Sequence, residues 1–420
     1  MNARTSKRTS KRTSKRAVTG AVSGLCLTAV LGTMGALPAY AEPEPEPPAT
    51  ERISTTYDGA QLDEPSYGPA MGDGRNTAFT AEGPVGRDDT DGLADVYIHD
   101  RLGKNSEVSY NGDGPSRAGT PCTSGRMVGF VSESTKIVTP PRPDRRPLVY
   151  IRNRSVGKVT GLHSYQGVAF ASMSQPMVDS FCMWITYTAT LPPTEADPDP
   201  QPRVYRFRFN GGTTDLVSEA SGEAAGHPSI SEGGRYVAYE QGGDVYVRDL
   251  DTGSLEKAGT ALGGGAANGT SSAPSISADG RRVAFESRAS DLVPGDRNRD
   301  VNVFVRDLDT GTTTLVEGAH KKDGTAQASL ALNGTHVAYV SARTKRAKGK
   351  GPAPSVYLLE LATGKTQLIS VDSEGGRNDL AAGEPSVNHD GTVVAFASAS
   401  ADLVPGDTNG VSDVFLRTAR

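Results

Sequence analysis

A unit recurs seven times along this 420-residue chain, and no other feature of the sequence restricts the fold as strongly. Its parts keep one order: "PSIS.DG", then "RRVAF.S", a variable loop, "DVFVRDL.TG", and finally "T.LVS". The second part starts at Thr77, Val128, Ile185, Val237, Val283, Val337 and Val394, with successive spacings of 51, 57, 52, 46, 54 and 57 residues. The third part starts at Asp95, Leu148, Arg203, Asp244, Asn302, Ser355 and Asp413. A self-similar period near 50 residues means that one supersecondary unit, unable to bury its apolar faces alone, is arrayed against copies of itself.

Each part reads as a strand of five or six residues, rich in Val, Ile, Tyr and Phe and bounded by turn residues. In "VAF" large side chains flank a small one, which suits a sheet covered on both faces and closely approached on one. The joints "ADG" at Ala278, "LNG" at Leu332, "HDG" at His389, "DTG" at Asp251 and Asp309, and "ATG" at Ala362 supply residues that tolerate positive φ in tight hairpins. Four strands per unit and almost no helical periodicity predict an all-β protein, a seven-bladed β-propeller with four-stranded antiparallel blades. The seventh copy ends at Arg420 without a fourth segment, whereas "RISTTYDG" from Arg52 to Gly59 resembles "QLISVDSEG" from Gln367 to Gly375. The last blade is therefore expected to be completed by the N-terminal strand, which removes an open sheet edge.

The units "PSISADGRRVAFES" and "DVYVRDLDTG" resemble the PD40, or WD40-like, repeat of the TolB-type propellers, and "ASDLVPGDRNR" and "SADLVPGDTNG" are similar to segments of secreted bacterial TolB-like proteins. The likeness runs over essentially everything after the N-terminal segment and is clearest in the fourth, fifth and seventh copies. It implies the propeller fold and, by analogy, a binding role.

The N-terminal segment has its own signature. "RTSKRTSKRTSKR" is a basic run, Ala17 to Leu37 is apolar and small, and "AYA" ends at Ala41, so residues 1–41 are expected to be a signal peptide. Leu precedes Cys26 in "VSGLC", the wrong order for a lipobox, and a freely released protein is expected. "EPEPEPP" makes residues 42–50 a stiff, solvated Pro/Glu spacer, and residues 51–420 form the single propeller domain. Residues 1–41 hold seven Lys/Arg and no Asp/Glu, so without them the formal charge is about −12. That argues against nucleic acid as a partner, and no later apolar run is long enough to span a bilayer. The expected location is secreted, extracellular or associated with the cell envelope, and the expected state is a monomer.

Cys122 and Cys182 are the two cysteines left, and an oxidising compartment makes them a disulfide candidate. Long polar insertions all fall between second and third strands, on the face shared with the blade-to-blade connections, where a partner would be met. They carry Arg142, Arg145 and Arg146 in one loop, Arg343, Lys345, Arg346, Lys348 and Lys350 in another, and Glu195, Asp197 and Asp199 in a third. Asp407, Asn409 and Asp413 offer oxygens at calcium-loop spacing, as do Asp296, Asn298 and Asp300, and Asp88, Asp89, Asp91 and Asp95, but a distal Glu is missing and Asx-turns account for the same pattern. No metal site or cofactor is assigned.

His99, His163, His227, His320, His336 and His389 do not recur at one repeat position, and no zinc pair or nucleophile elbow occurs after residue 41. An enzyme should gather His, Arg, Tyr and carboxylates on the inner strands, whereas those strands read "PSIS", "SLAL" and "PSVN". The resulting expectation is a non-enzymatic scaffold that binds a protein or a cell-envelope polymer through its long-loop face. The alternative is an extracellular propeller enzyme acting on carbohydrate as a lyase or hydrolase.

Overall fold

The computed structural model describes residues 49–419, apart from 73–75, 87–88, 221, 297–299, 321–322, 344–352 and the side chain of Arg343. The signal-peptide expectation and nearly all of the spacer thus lie outside the described residues. Seven four-stranded antiparallel sheets follow one another as the blades of a propeller, each a meander from an inner to an outer strand. The inner strands are Ser66–Met71, Ser116–Pro121, Ser172–Val178, Ala225–Ile230, Ser271–Ile276, Asp323–Leu330 and Ala382–Val387. Among the described residues, no helix is long and apolar enough to cross a membrane.

The repeat's aromatic positions explain why every copy makes the same sheet. The third residue of "VAF" stands directly opposite the third residue of "DVF" on the neighbouring strand, giving Phe79–Tyr97, Phe130–Tyr150, Tyr187–Tyr205, Tyr239–Tyr246, Phe285–Phe304, Tyr339–Tyr357 and Phe396–Phe415. Ring centroids in these seven pairs lie 5.5 to 6.1 Å apart. Cross-strand aromatic pairs of this kind each contribute about 0.5–1.5 kcal/mol beyond the area they bury. A one-residue slip would turn both rings to the wrong face, so the pairs also fix register. The small residue before the first ring lets the next blade close in. At Gly129, which takes that place in blade two, an added Cβ would come within 2.6 Å of Ile185 in blade three.

Hydroxyls join the blades around the centre. Ser229, Ser275, Ser329 and Ser386 each accept the backbone N–H of the residue facing them on a neighbouring inner strand, from Ile276, Leu330, Val387 and Met71, at 2.9 to 3.1 Å. This is the physical role of the serine in "PSIS".

Closure occurs through the N-terminal strand, Thr50–Arg52, which pairs antiparallel with Asp413–Thr418 as the outer strand of blade seven. It starts one residue before the expected domain boundary.

The twice-written "DLVPGD" serves as a joint. Leu292 and Leu403 are both buried in blade cores. The first aspartate of each copy holds the connection that enters its own blade: Asp291 accepts the Asn268 N–H at 3.1 Å, and Asp402 accepts the Asp379 N–H at 3.0 Å. Their carbonyls accept Leu262 and Ser373 N–H groups at 2.7 and 2.8 Å. Replacing Asp291 or Asp402 by Ala should lower stability by about 1 kcal/mol each. The two losses should add in urea denaturation because the sites are in different blades.

Candidate functional site

The inner strands share a backbone irregularity that focuses the centre of the molecule. In each of the seven blades the register of the inner strand shifts, a β-bulge, after two paired residues in five blades, three in blade three and four in blade six. At each bulge one residue has positive φ: Gly68 at 64°, Ala118 at 57°, Gln175 at 54°, His227 at 48°, Ala273 at 50°, Gln327 at 55° and Glu384 at 52°. Six of these are not glycine, and four of those six precede proline, a setting that disfavours folded backbone. Strain repeated at one level around a ring, with bulges re-aiming the side chains, marks a place where geometry is kept for a purpose.

Side chains at this level reach across to the next bulge. Glu384 accepts the Gly68 N–H at 2.8 Å, and Gln327 accepts the Glu384 N–H at 2.8 Å. Glu286 accepts the Gln327 N–H at 2.6 Å, and Glu240 accepts the Ala273 N–H at 2.6 Å. Gln175 accepts both the His227 N–H at 2.9 Å and the Thr188 hydroxyl at 2.7 Å. Five of the seven strained N–H groups are thus held by a neighbouring blade. Glu240 and Glu286 occupy the residue after the aromatic of "VAYE" and "VAFE", so the same repeat position that is Thr80, Val131, Thr188, Val340 or Ala397 elsewhere turns acidic in two adjacent blades.

Electrostatics set these acids apart. His227 Nδ1 lies 3.2 Å from Glu240 Oε2, with the imidazole more than half exposed. The Glu240 hydrogen bond raises the His227 pKa against the opposing effect of burial. Burial alone would raise Glu240, but the His227 hydrogen bond and the Ala273 N–H outweigh it and hold the carboxyl low. Glu286 is raised, first by burial and then by the charge of Glu240, with the Gln327 N–H and Arg288 pulling the other way. On the opposite arc Arg117 pairs with Glu133 at 2.9 Å, and Tyr67 is raised by burial and by Glu82. In five of the seven blades the positive-φ residue falls in the first half of the inner strand, so this polar ring lies toward the long-loop face. It brings together imidazole, carboxylate, amide and guanidinium groups, with carboxylates in excess.

This corrects the reading of the inner strands as small residues and hydroxyls. "PSIS" and "PSVN" begin one residue too late, because the residue before the proline is the exposed one at the bulge: His227 and Glu384 in the fourth and seventh copies. Of the six histidines, His227 alone belongs to this ring. His99 bonds Asn105 at 3.0 Å, His163 packs edge-on to Tyr150, His336 bonds Thr335, the His320 carbonyl accepts the Asp323 N–H in a turn, and the His389 carbonyl accepts the Asn333 N–H of the neighbouring blade.

The loop candidates have structural partners. Arg142 donates to the Ser134 and Arg146 carbonyls, Arg145 to Asp113, and Arg146 to Asp144 and the Phe170 carbonyl, so this basic loop is folded on itself. Lys345, Arg346, Lys348, Lys350 and the Arg343 side chain lie outside the described residues, while Glu195, Asp197 and Asp199 are exposed.

The calcium-like aspartates divide likewise. Arg52 Nη1 lies 3.6 Å from both Asp407 and Asp413, and Asn409 donates to Asp413 at 3.1 Å, so an arginine from the closing strand fills the cation's place there. Asn298 and Asp88 lie outside the described residues. Asp89, Asp91 and Asp95 bring carboxylate oxygens within 4.8 Å of one another. Burial, with the charges of Asp89 and Asp91, pushes Asp95 up to about 7 against the Ser109 hydrogen bond. Tyr97 donates to Asp89, which gives this cluster an internal partner.

Cys122 and Cys182 form a disulfide with Cα atoms 5.2 Å apart. It ties the first hairpin of blade two to the first hairpin of blade three, on the face opposite the polar ring.

No family model matches the chain, and no curated protein does. Solved structures do. An oligogalacturonate lyase from Vibrio parahaemolyticus is 12% identical over 89% of this chain and 97% of its own, with a TM-score of 0.57. A puromycin-hydrolyzing peptidase of Mycobacterium tuberculosis is 13% identical over 87% of this chain and 55% of its own, with a TM-score of 0.56. TolB from Acinetobacter baumannii is 17% identical over 74% of this chain and 65% of its own, with a TM-score of 0.43. At such identities the first two likenesses establish a shared propeller architecture, and enzymes of two different chemistries have it.

Proposed function

We propose that this protein is an extracytoplasmic TolB-like binding propeller that takes a protein or cell-envelope polymer on its long-loop face, with a hydroxyl- or amine-bearing group of the ligand seated in the polar ring. One observation carries this reading: all seven inner strands carry a positive-φ bulge, six of them at non-glycine residues, and cross-blade hydrogen bonds hold five of the seven. A ring so fixed before a ligand arrives spends little ordering entropy on binding. Its excess of carboxylates suits donors rather than anions. The N-terminal segment's signal-like pattern supports the location.

The runner-up is a carbohydrate lyase or hydrolase. It is favoured by Glu240 and Glu286, neighbouring carboxyls whose pKa values are driven in opposite directions, beside a histidine.

The test uses purified protein, envelope fractions and a panel of acidic and neutral oligosaccharides, with bound partner and released sugar both measured. His227→Asn tolerates positive φ and removes the imidazole, and Glu240→Gln removes the charge. Each should weaken binding about tenfold, the loss of one charge-assisted hydrogen bond, with the melting temperature nearly unchanged. Sugar release without a stable complex would establish the enzymatic reading instead. Full binding by both variants would remove the ring from the site.

A further inference from the structure

On the hairpin face, away from the polar ring, a cleft of about 500 Å³ lies between blades one and two. Its walls carry Arg126, Arg152 and Arg154 together with the hydroxyl-bearing Ser106, Ser124 and Ser155. We propose that this cleft is an oxyanion site, taking the phosphate, sulfate or carboxylate group of a small molecule or sugar.

Arg152 is only 3% exposed, yet its donors go to neutral acceptors: the Val108, Gly157 and Tyr110 carbonyls at 2.8, 3.0 and 3.5 Å. Its guanidinium carbon stands 3.6 Å from the centroid of the Tyr110 ring. Arg154 donates to the Gly125 carbonyl and the Ser106 hydroxyl, both at 3.0 Å. Arg126 is exposed at the rim. Among the described residues none of the three makes an ion pair, while elsewhere in the molecule arginines such as Arg206, Arg235 and Arg282 pair with aspartates. A buried cation without an ion-pair partner is costly, and Arg152 keeps its positive charge in the lining of the cleft, where an incoming anion would offset it.

The single acid in the lining does not fill that role. Glu107 is pushed up to about 7 by burial and by Asp95, Asp89 and Asp91, with Arg152 pulling the other way. Converging arginines beside small hydroxyls are the usual recognition of planar or tetrahedral oxyanions. Arg126, Ser124 and Ser155 belong to tight hairpins, and Arg152 to a strand, so the donors are held in place by the sheet.

Isothermal titration of the full chain with sodium phosphate, sodium sulfate and glucuronate at constant ionic strength tests the site. At least one should bind saturably with a midpoint near or below about 1 mM. Arg126→Ala, at an exposed rim position, should weaken it about tenfold, and Arg154→Gln at least as much. Arg145→Ala, an exposed arginine on the opposite face, should leave the affinity unchanged. Circular dichroism shows whether each variant is folded. Absence of saturable binding for all three anions, or equal affinity in wild type and Arg126→Ala, would overturn the proposal, and the preferred anion identifies the source chemistry.

Discussion

Deleting residues 50–58 should lower the unfolding free energy by about 5 kcal/mol or more, a large share of the 5–15 kcal/mol that a folded domain normally has. The segment is short, but its contacts are unlike those of a surface strand. Ile53 is fully buried in a cluster with Phe79, Tyr97, Val414 and Leu416, and burying such a side chain is worth about 1.5–3 kcal/mol. Asn105 of blade one donates to the Ile53 and Thr55 carbonyls, so the strand fastens blade one as well as blade seven. Ser54 donates to the fully buried Asp413 at 2.6 Å and accepts the Val414 N–H at 3.0 Å. Without Arg52, Asp407 and Asp413 would be left as buried carboxylates short of a cation, a loss of about 3–5 kcal/mol when one partner of a buried pair is removed. Arg52→Met alone should therefore account for much of the effect. Denaturant unfolding of the two variants measures both. An unchanged midpoint in the deletion would mean that the propeller closes by other contacts.

The same segment shows what the sequence could convey. Both strands that define each blade were legible at the residue level, because the aromatic at the third place of "VAF" and of "DVF" must face its partner for the sheet to pack. The closing strand was legible because Ser54 repeats the role of Ser370, whose hydroxyl also accepts the N–H of the second residue of a third strand. The cation at Asp407 and Asp413 was not legible. Arg52 reaches them only after the ring has closed, so no local spacing announces an arginine where calcium-like oxygens gather.

The polar ring was missed for a different reason. A repeat is recognised by what stays constant, and the ring is built from what varies inside the constant frame: Gly68, Gln175, His227, Ala273 and Glu384 all stand just before the proline. Aligning the copies on that proline would have exposed one column holding amide, imidazole and carboxylate. The backbone sets the column apart, since it coincides with the bulge and positive φ of each inner strand that carries it. Sheet regularity thus specifies the scaffold, and the departures from it carry the residues on which the proposed site rests.

Removing the disulfide should cost about 4 kcal/mol, and it should do so without disturbing the polar ring. Cys122 and Cys182 are 60 residues apart, and closing a loop of that length in the unfolded chain accounts for this figure on the chain-entropy model. The bond also sits where the repeat is weakest. Blade two has Gly129 in place of the usual small Ala, blade three has the irregular inner strand Ser172–Val178, and an extra hairpin, Ser164–Tyr165 with Val168–Ala169, interrupts the connection between them. Beside the bond the Thr123 N–H donates to the Ser180 carbonyl at 3.3 Å, and the Thr120 hydroxyl donates to the Pro176 carbonyl at 3.0 Å. The Cys122→Ser/Cys182→Ser double variant should unfold at markedly lower denaturant, and a reductant should lower the wild type to the same midpoint while leaving the variant unmoved. Ligand binding at the ring, on the other face, should persist in the folded variant. If reductant shifted both proteins equally, the stabilisation would have to come from packing of blades two and three, and the bond would be only a consequence of their approach.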